Sequence, residues 1–363
     1  MTRLIRPYVS FEDVSEDIRA ILDSGFLTTG PAVARFAECL CSYTAAAHAF
    51  PVSSATTALW VSLRLLGVGP GDEVIVSDFS FPATANVVED LNAKPVFADV
   101  DRNTYNMRPE HLRARMGERT KAVIFVDALG NPTGIEQIRD LCRERGVPLL
   151  EDAACAIGSH SRGLAVGSIA DITCFSFHPR KLITTGEGGA IMTNTDEYAD
   201  RLSVKLSHGA VRPEGSLWPD FVDFGYNFRM AEIPAALGLR QLENLDEITA
   251  RRRAFRDYVA DALRPYGFLP QRIGADVVYN VQSLVFTVPA GVERNALVVR
   301  LRELGIETTL GTYCLSRTTY YRRKYNDVQP TAEWLNENTI TLPCSDEADP
   351  EEVSRLVIEA ART

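Results

Sequence analysis

Ser176-Phe-His-Pro-Arg-Lys-Leu-Ile-Thr-Thr-Gly-Glu-Gly-Gly189 is the stretch around which the rest of the chain is organised. The apolar, β-rich run Ile172–Phe177 leads into a single lysine, Lys181. A glycine cluster follows, and then a second apolar run, Ala190–Thr193. Glycine lets backbone fold back tightly and lie close to a ligand. A lysine held between two buried strands, with Arg180 as its one basic neighbour, is placed to lose solvent. Desolvation lowers an amine's pKa and leaves it able to form a Schiff base.

Outward from this stretch the chain has a repeated rhythm. Short apolar runs at Glu73–Val76, Pro95–Val100, Ala122–Ala128 and Pro148–Ala153 precede Ile172–Phe177. Helical patterns over Thr56–Leu66, Thr84–Leu91 and Thr133–Arg145 separate them. Continuous apolar strands alternating with helices predict an α/β fold with a mostly parallel sheet covered by helices on both faces. Two helical segments, over residues 8–23 and from Pro31 to about Ala46, come before it, joined by Phe26-Leu-Thr-Thr-Gly-Pro31. After Gly189 the pattern is helical, with one long amphipathic helix predicted from Ala231 to about Leu263 and Arg251-Arg252-Arg253 on its solvated face. Strands near Val281–Val288 and Glu307–Leu310 and helices near Ala296–Leu304 and Glu351–Ala361 predict a smaller α+β domain. The expected division is residues 1–245 for the large domain and 246–363 for the small one.

The chain has 363 residues, a hydrophobic content of 45% and a formal charge of −10, which supports a substantial core and argues against nucleic acid or an anionic membrane as partner. No run approaches membrane-spanning length, and no signal-peptide pattern opens the chain. Seven scattered cysteines give no metal-ligand spacing, so no metal is expected, and reduced thiols in a cytoplasmic protein are the default.

Open parallel sheets hold ligands beyond the carboxyl ends of their strands. The groups there include Phe79-Ser-Phe81, Asp127, Asp152 and Ser176 to Lys181. Three features point to pyridoxal 5'-phosphate. Ser53-Ser-Ala-Thr-Thr-Ala58 opens a helix after a short strand, which is either an anion site for a phosphate or an ordinary hydroxyl cap. Asp152 ends a buried strand, where a carboxylate suits a protonated ring nitrogen, with Lys181 one strand later. An aromatic ring at Phe79–Phe81 is placed to stack on a flat heterocycle.

Taken together, these stretches resemble the DegT/StrS-type aminotransferases, pyridoxal-phosphate enzymes of fold type I that act mostly on keto-sugar nucleotides. The resemblance is carried by Ser24-Gly-Phe-Leu-Thr-Thr-Gly-Pro31, Ser53-Ser-Ala-Thr-Thr-Ala-Leu59, Phe79-Ser-Phe-Pro-Ala-Thr-Ala85, Glu151-Asp-Ala-Ala154, Ser176 to Gly189, and Gly225-Tyr-Asn-Phe-Arg-Met-Ala-Glu232. It implies an aspartate-aminotransferase-like large domain with a smaller C-terminal α+β domain. By matched position it implies that Lys181 is the Schiff-base lysine and Asp152 the pyridinium partner. Phe81 would be the stacking ring, and Ser54, Ala55, Thr56 and Ser176 would hold the phosphate. Asn227 would reach the phosphate of a neighbouring subunit while also capping the following helix. Thr29, Arg229, Tyr313 and Arg317 would line the substrate side. The implied enzyme is a homodimer with a shared active site. It would move an amino group from an amino acid, glutamate by resemblance, to a keto-sugar, with pyridoxamine 5'-phosphate as the other cofactor form. The alternatives are a related sugar dehydratase, which would carry histidine in place of Lys181, transamination of a non-sugar ketone on the same fold, and a non-catalytic paralogue, which would lose Lys181 or Asp152.

Three departures from the family pattern stand out. Cys155 takes the place of a glutamine or histidine near the cofactor and reads as a tolerated substitution. Asp127 replaces a histidine. The loop Gly311-Thr-Tyr-Cys-Leu-Ser-Arg317 lacks the histidine and proline of sugar-nucleotide binders; Arg317 is a candidate for a diphosphate, and Arg322, Arg323 and Lys324 are either further candidates or a solvated helix face.

Overall fold

The computed structural model describes residues 1–362. Its large sheet has seven strands: β1 (His48–Val52), β2 (Glu73–Ser77), β3 (Lys94–Ala98), β4 (Thr120–Val126), β5 (Leu149–Asp152), β6 (Ile172–Ser176) and β7 (Gly189–Thr193). Their spatial order is β1-β7-β6-β5-β4-β2-β3. Strand β7 runs antiparallel to both its neighbours, and every other pairing is parallel. The expected mostly parallel α/β sheet is what forms.

Alternate residues of each strand enter opposite layers. Ile75, Val123, Phe125, Leu149 and Phe175 face one layer, and Val74, Val76, Ile124, Leu150 and Cys174 the other. Both faces are therefore buried, which is why these strands read as unbroken apolar runs. The first layer is covered by α2 (Pro31–Thr44), α5 (Ile135–Arg145) and α7 (Glu232–Leu242), the second by α3 (Ala55–Leu65), α4 (Ala83–Asp90) and α6 (Asp196–Lys205). Helix α1 (Phe11–Ser24) packs on α7. Where α7 crosses α2, a Cβ on Gly238 would come 2.6 Å from Phe36 Cζ, so glycine is what lets the buried Phe36 ring fill that crossing.

A second sheet, β8 (Leu269–Pro270), β9 (Leu284–Thr287), β10 (Thr309–Leu310) and β11 (Thr339–Leu342), has the antiparallel order β8-β9-β11-β10. Helices α8 (Leu245–Leu263), α9 (Arg294–Glu303) and α10 (Pro350–Arg362) share its core through Val259, Leu263, Leu297, Leu301 and Val357.

Three expectations change. The helix predicted over 231–263 is two helices, because Asn244 leaves the helical region (φ −105°, ψ 4°) and turns its N–H back to the Gln241 carbonyl. Arg252 is not on a solvated face. It is buried, and its guanidinium donates to the carbonyls of Val281, Gln282 and Cys344. The strand predicted from Val281 begins only at Leu284, since Val281 takes a left-handed φ of 54° that no strand admits.

Candidate active site

Strands β6 and β7 form a hairpin in which Ser176 faces Gly189 and the Phe177 N–H donates to the Gly188 carbonyl. Lys181 sits in the loop of that hairpin, on a turn closed by its own N–H to the His178 carbonyl at 2.8 Å. Its Nζ donates to Cys155 Sγ at 3.0 Å.

Asp152 ends β5, the parallel neighbour of β6, and is 6% exposed. One carboxylate oxygen accepts from Thr84 Oγ1 at 2.7 Å and the other from the Ala154 N–H at 3.3 Å. Burial lifts this carboxyl above its ordinary range, against the Thr84 hydroxyl, the Ala154 N–H and the positive charge of Lys181, which all favour the ionised form. Thr84 is held in turn by Ser80 Oγ at 2.8 Å.

Beneath Asp152 lie two fully buried acids. Burial, and next the charge of Glu151, push Asp127 well above the carboxylate range. Burial takes Glu151 up to about 7, although the Thr173 hydroxyl donates to it at 2.6 Å. Asp127 follows the end of β4 and Glu151 lies in the neighbouring β5, so the negative charge of Glu151 favours a proton on Asp127.

The start of α3, packed against the β6–β7 hairpin, is a candidate cradle for a phosphate. Ser54 caps α3, with Ser54 and Thr57 exchanging side-chain to main-chain bonds of 3.1 Å. This leaves the N–H groups of Ala55 and Thr56, at the first two positions of the helix, with no intrahelical acceptor. A Cβ on Gly189 would meet Ala55 N and the Ser54 carbonyl carbon at 2.6 Å each, so the start of β7 lies directly against this helix end. Ser176 sits opposite Gly189 at the end of β6. Open amides at a helix N-terminus, a nearby hydroxyl, a lysine amine and a buried carboxylate fit a phosphorylated pyridine aldehyde in kind and in relative place.

The other predicted positions divide. Phe81 is 65% exposed, with its ring 6.3 Å from that of Tyr313; residues Tyr313–Cys314 pair antiparallel with Phe79–Ser80, which brings the C-terminal loop to the site. Thr29 is exposed with φ 57° on the 25–30 loop. Asn227 is exposed on a stretch that runs along edge strand β1, where the Ser53 N–H donates to the Phe228 carbonyl at 2.7 Å. On that stretch the Arg229 guanidinium donates to the Leu206 carbonyl at 3.0 Å, so it braces the end of α6. Arg317 is paired with Glu337 at 2.7 Å and Glu333 at 3.4 Å, and Lys324 with Glu89 at 2.5 Å. Their charges are matched within the chain.

Two supporting residues lie within quoted stretches that do not announce the role the fold gives them. Glu232 accepts from the N–H groups of Gly30, Ala32 and Val33 at 2.8 to 3.1 Å, closing the start of α2 from two hundred residues away. Thr84 lies within a quoted motif, four residues after Ser80 on a helix start. That spacing was the one available hint that it supports Asp152.

A family model described as the DegT/DnrJ/EryC1/StrS aminotransferase family matches residues 10–361. The fold is also shared with solved structures. The aminotransferase TlmJ from Streptoalloteichus hindustanus superposes with a TM-score of 0.92 at 31% identity, over 100% of this chain and 98% of that one. The putative sugar aminotransferase Spr1654 from Streptococcus pneumoniae, in its PLP form, gives 0.91 at 28% identity, over 99% and 97%. Helicobacter pylori PseC, an aminotransferase involved in the biosynthesis of pseudoaminic acid, gives 0.92 at 27% identity, over 99% of both chains.

Proposed function

Because this chain belongs to the DegT/DnrJ/EryC1/StrS aminotransferase family, we propose that it transfers an amino group from glutamate to a keto-sugar, most readily a nucleotide-linked keto-deoxysugar. The observation that carries the reading is Asp152 at the end of β5 and Lys181 in the loop that follows the neighbouring β6, with the open start of α3 against that hairpin. The sugar acceptor is supported by Streptococcus pneumoniae Spr1654, described as a putative sugar aminotransferase, and pyridoxal 5'-phosphate by the PLP form of that same structure.

Pyridoxal phosphate, when bound, supplies an electron-withdrawing ring that holds the amino group between donor and acceptor. The chain's own residues would do the rest. The Ala55 and Thr56 amides and the Ser176 hydroxyl bind the phosphate. Phe81 packs against the flat ring. Asp152 holds a proton at the ring nitrogen, and its buried position strengthens that attraction. Lys181 Nζ accepts a proton from the α-carbon of the donor and, in the opposite direction, returns one to the former carbonyl carbon of the acceptor. Asn227, exposed beside β1, would complete the phosphate wall of a second subunit in a homodimer.

The purified protein should absorb as a lysine-bound pyridoxal phosphate and lose that band on addition of glutamate. Lys181→Ala should keep phosphate-held cofactor while losing borohydride-stable attachment and turnover. Normal turnover by this variant rules the assignment out. One observation favours a second acceptor, a free keto-sugar: Arg317 and Lys324, two of the four candidates for a diphosphate, are already paired with carboxylates. Assay of the aminated enzyme against nucleotide-linked and free keto-sugars separates the two.

A further inference from the structure

Two buried glutamines grip the main chain of the loop that carries Lys181. Gln282, 4% exposed, accepts the Leu182 N–H through Oε1 at 2.9 Å and donates Nε2 to the Arg180 carbonyl at 2.7 Å. Its amide therefore brackets Lys181, bonding the residue before it and the residue after it. Gln241 does the same to a single residue three positions on, accepting from the Thr184 N–H at 2.9 Å and donating to the Thr184 carbonyl at 2.6 Å.

Gln282 is itself fixed from the C-terminal side of the chain. Its N–H donates to Asn280 Oδ1 at 2.9 Å, and its carbonyl accepts from Arg252 at 3.1 Å. Arg252 also holds the Val281 carbonyl at 2.8 Å. Between these anchors Val281 keeps φ at 54°, a conformation that is strained for a β-branched residue and persists only where its surroundings enforce it. Asn280 reaches the other wall of the site, donating to the carbonyls of Cys155 and Ile157 at 2.8 Å each. A three-residue segment, strained at its centre, thus holds the backbone that carries Lys181 and the backbone that carries Cys155, whose side chains meet at 3.0 Å.

We propose that Gln282 is a positioning residue for Lys181: its amide, docked on the Arg180 carbonyl and the Leu182 N–H, fixes where Nζ stands between Cys155 and Asp152. The C-terminal part of the chain thereby sets the reach of the reacting amine. Displacing a reacting group by an ångström costs about a hundredfold in rate, whereas the loop itself keeps its hairpin bonds and the Gln241 clamp without this amide.

The proposal rests on Lys181 being the residue that attaches the cofactor. The test strips the wild-type protein and Gln282→Met of cofactor, adds pyridoxal 5'-phosphate, and follows attachment to Lys181 by stopped-flow absorbance. The pH midpoint of the resulting band, borohydride trapping with peptide mapping, and the Tm are also recorded. Gln282→Met should attach cofactor about tenfold more slowly or worse, with a shifted midpoint. Gln241→Met, which unclamps the same loop farther from the lysine, should lower Tm without that slowing. Wild-type rate and midpoint in Gln282→Met overturn the proposal, as does equal slowing in both variants. If Gln282→Met does not fold, Gln282→Asn, with an amide one carbon too short to bridge both groups, is judged by the same criteria. Failure to trap cofactor on Lys181 in the wild type defeats the functional reading instead.

Discussion

The ε-amine of Lys181 donates to the thiol sulfur of Cys155 across 3.0 Å, while the carboxylate of Asp152 is held by Thr84. The amine and the acid are thus kept in place by different partners, and neither depends on the other for its position. A thiol is a weak acceptor, so this contact orients the lysine at small energetic cost when the amine leaves it. Cys155→Ala removes a bond that attachment of pyridoxal phosphate must break, so affinity should rise by up to about three- to tenfold, the worth of one hydrogen bond, by equilibrium absorbance titration. An unchanged affinity would mean that the contact does not hold the free amine.

Shared sites make a prediction that needs no structure of the dimer. If Asn227 serves the neighbouring subunit, Lys181→Ala and Asn227→Ala proteins are each impaired, but a hybrid of the two has one intact site. Random mixing makes half of the dimers hybrid, so about a quarter of wild-type activity should appear. Activity that stays at the level of the separate variants after demonstrated subunit exchange counts against a shared site.

Glu232 accepts three main-chain N–H groups at the start of α2 while 1% exposed. Hydrogen bonds to a buried charged group contribute about 1.5–3 kcal/mol. Glu232→Ala should therefore lower stability by about 3 kcal/mol, measured by denaturant unfolding. Glu232→Gln, with one oxygen replaced by a donor, should lose about half of that. Because the bonds anchor the 25–30 loop, the acceptor KM should rise in both.

Asp78, at the end of β2, is buried under the C-terminal loop and accepts from the Ser316 N–H at 2.7 Å, Ser316 Oγ at 2.6 Å and Cys314 Sγ at 3.2 Å. Burial raises its pKa from 3.8 to about 7. The folded state therefore binds this proton more tightly than the unfolded state does. The resulting stability is fully present below 3.8 and is lost as pH rises to about 7, at up to about 1.4 kcal/mol per pH unit. Asp78→Asn, which cannot ionise, should gain Tm relative to wild type between pH 5 and pH 8. A Tm difference independent of pH removes Asp78 as its source.

Much of the large sheet was legible because its strands are buried on both faces and its helices on one. That difference writes itself into residue order as unbroken apolar runs set against a 3.6-residue rhythm. The C-terminal part was less so. Arg252 reads as surface charge next to two other arginines, yet it is buried because three carbonyls, at Val281, Gln282 and Cys344, converge on it from distant segments. No local pattern announces such a convergence. The same holds for Arg317, whose basic character suggests an anion site although the fold sets Glu333 and Glu337 beside it.

The order of residues alone determined the alternation of strand and helix, the chemistry at the strand ends, and the nomination of Lys181 and Asp152, since each follows from side-chain type and short-range spacing. Only the tertiary structure decided how those groups are held: Thr84 on Asp152, Cys155 against the amine, Gln282 across the lysine's own peptide neighbours, and Glu232 at the start of a helix two hundred residues earlier. The reason is physical. A buried polar group must find its partner wherever the fold brings one within about 3 Å, and that distance is set by packing between segments, not by position along the chain.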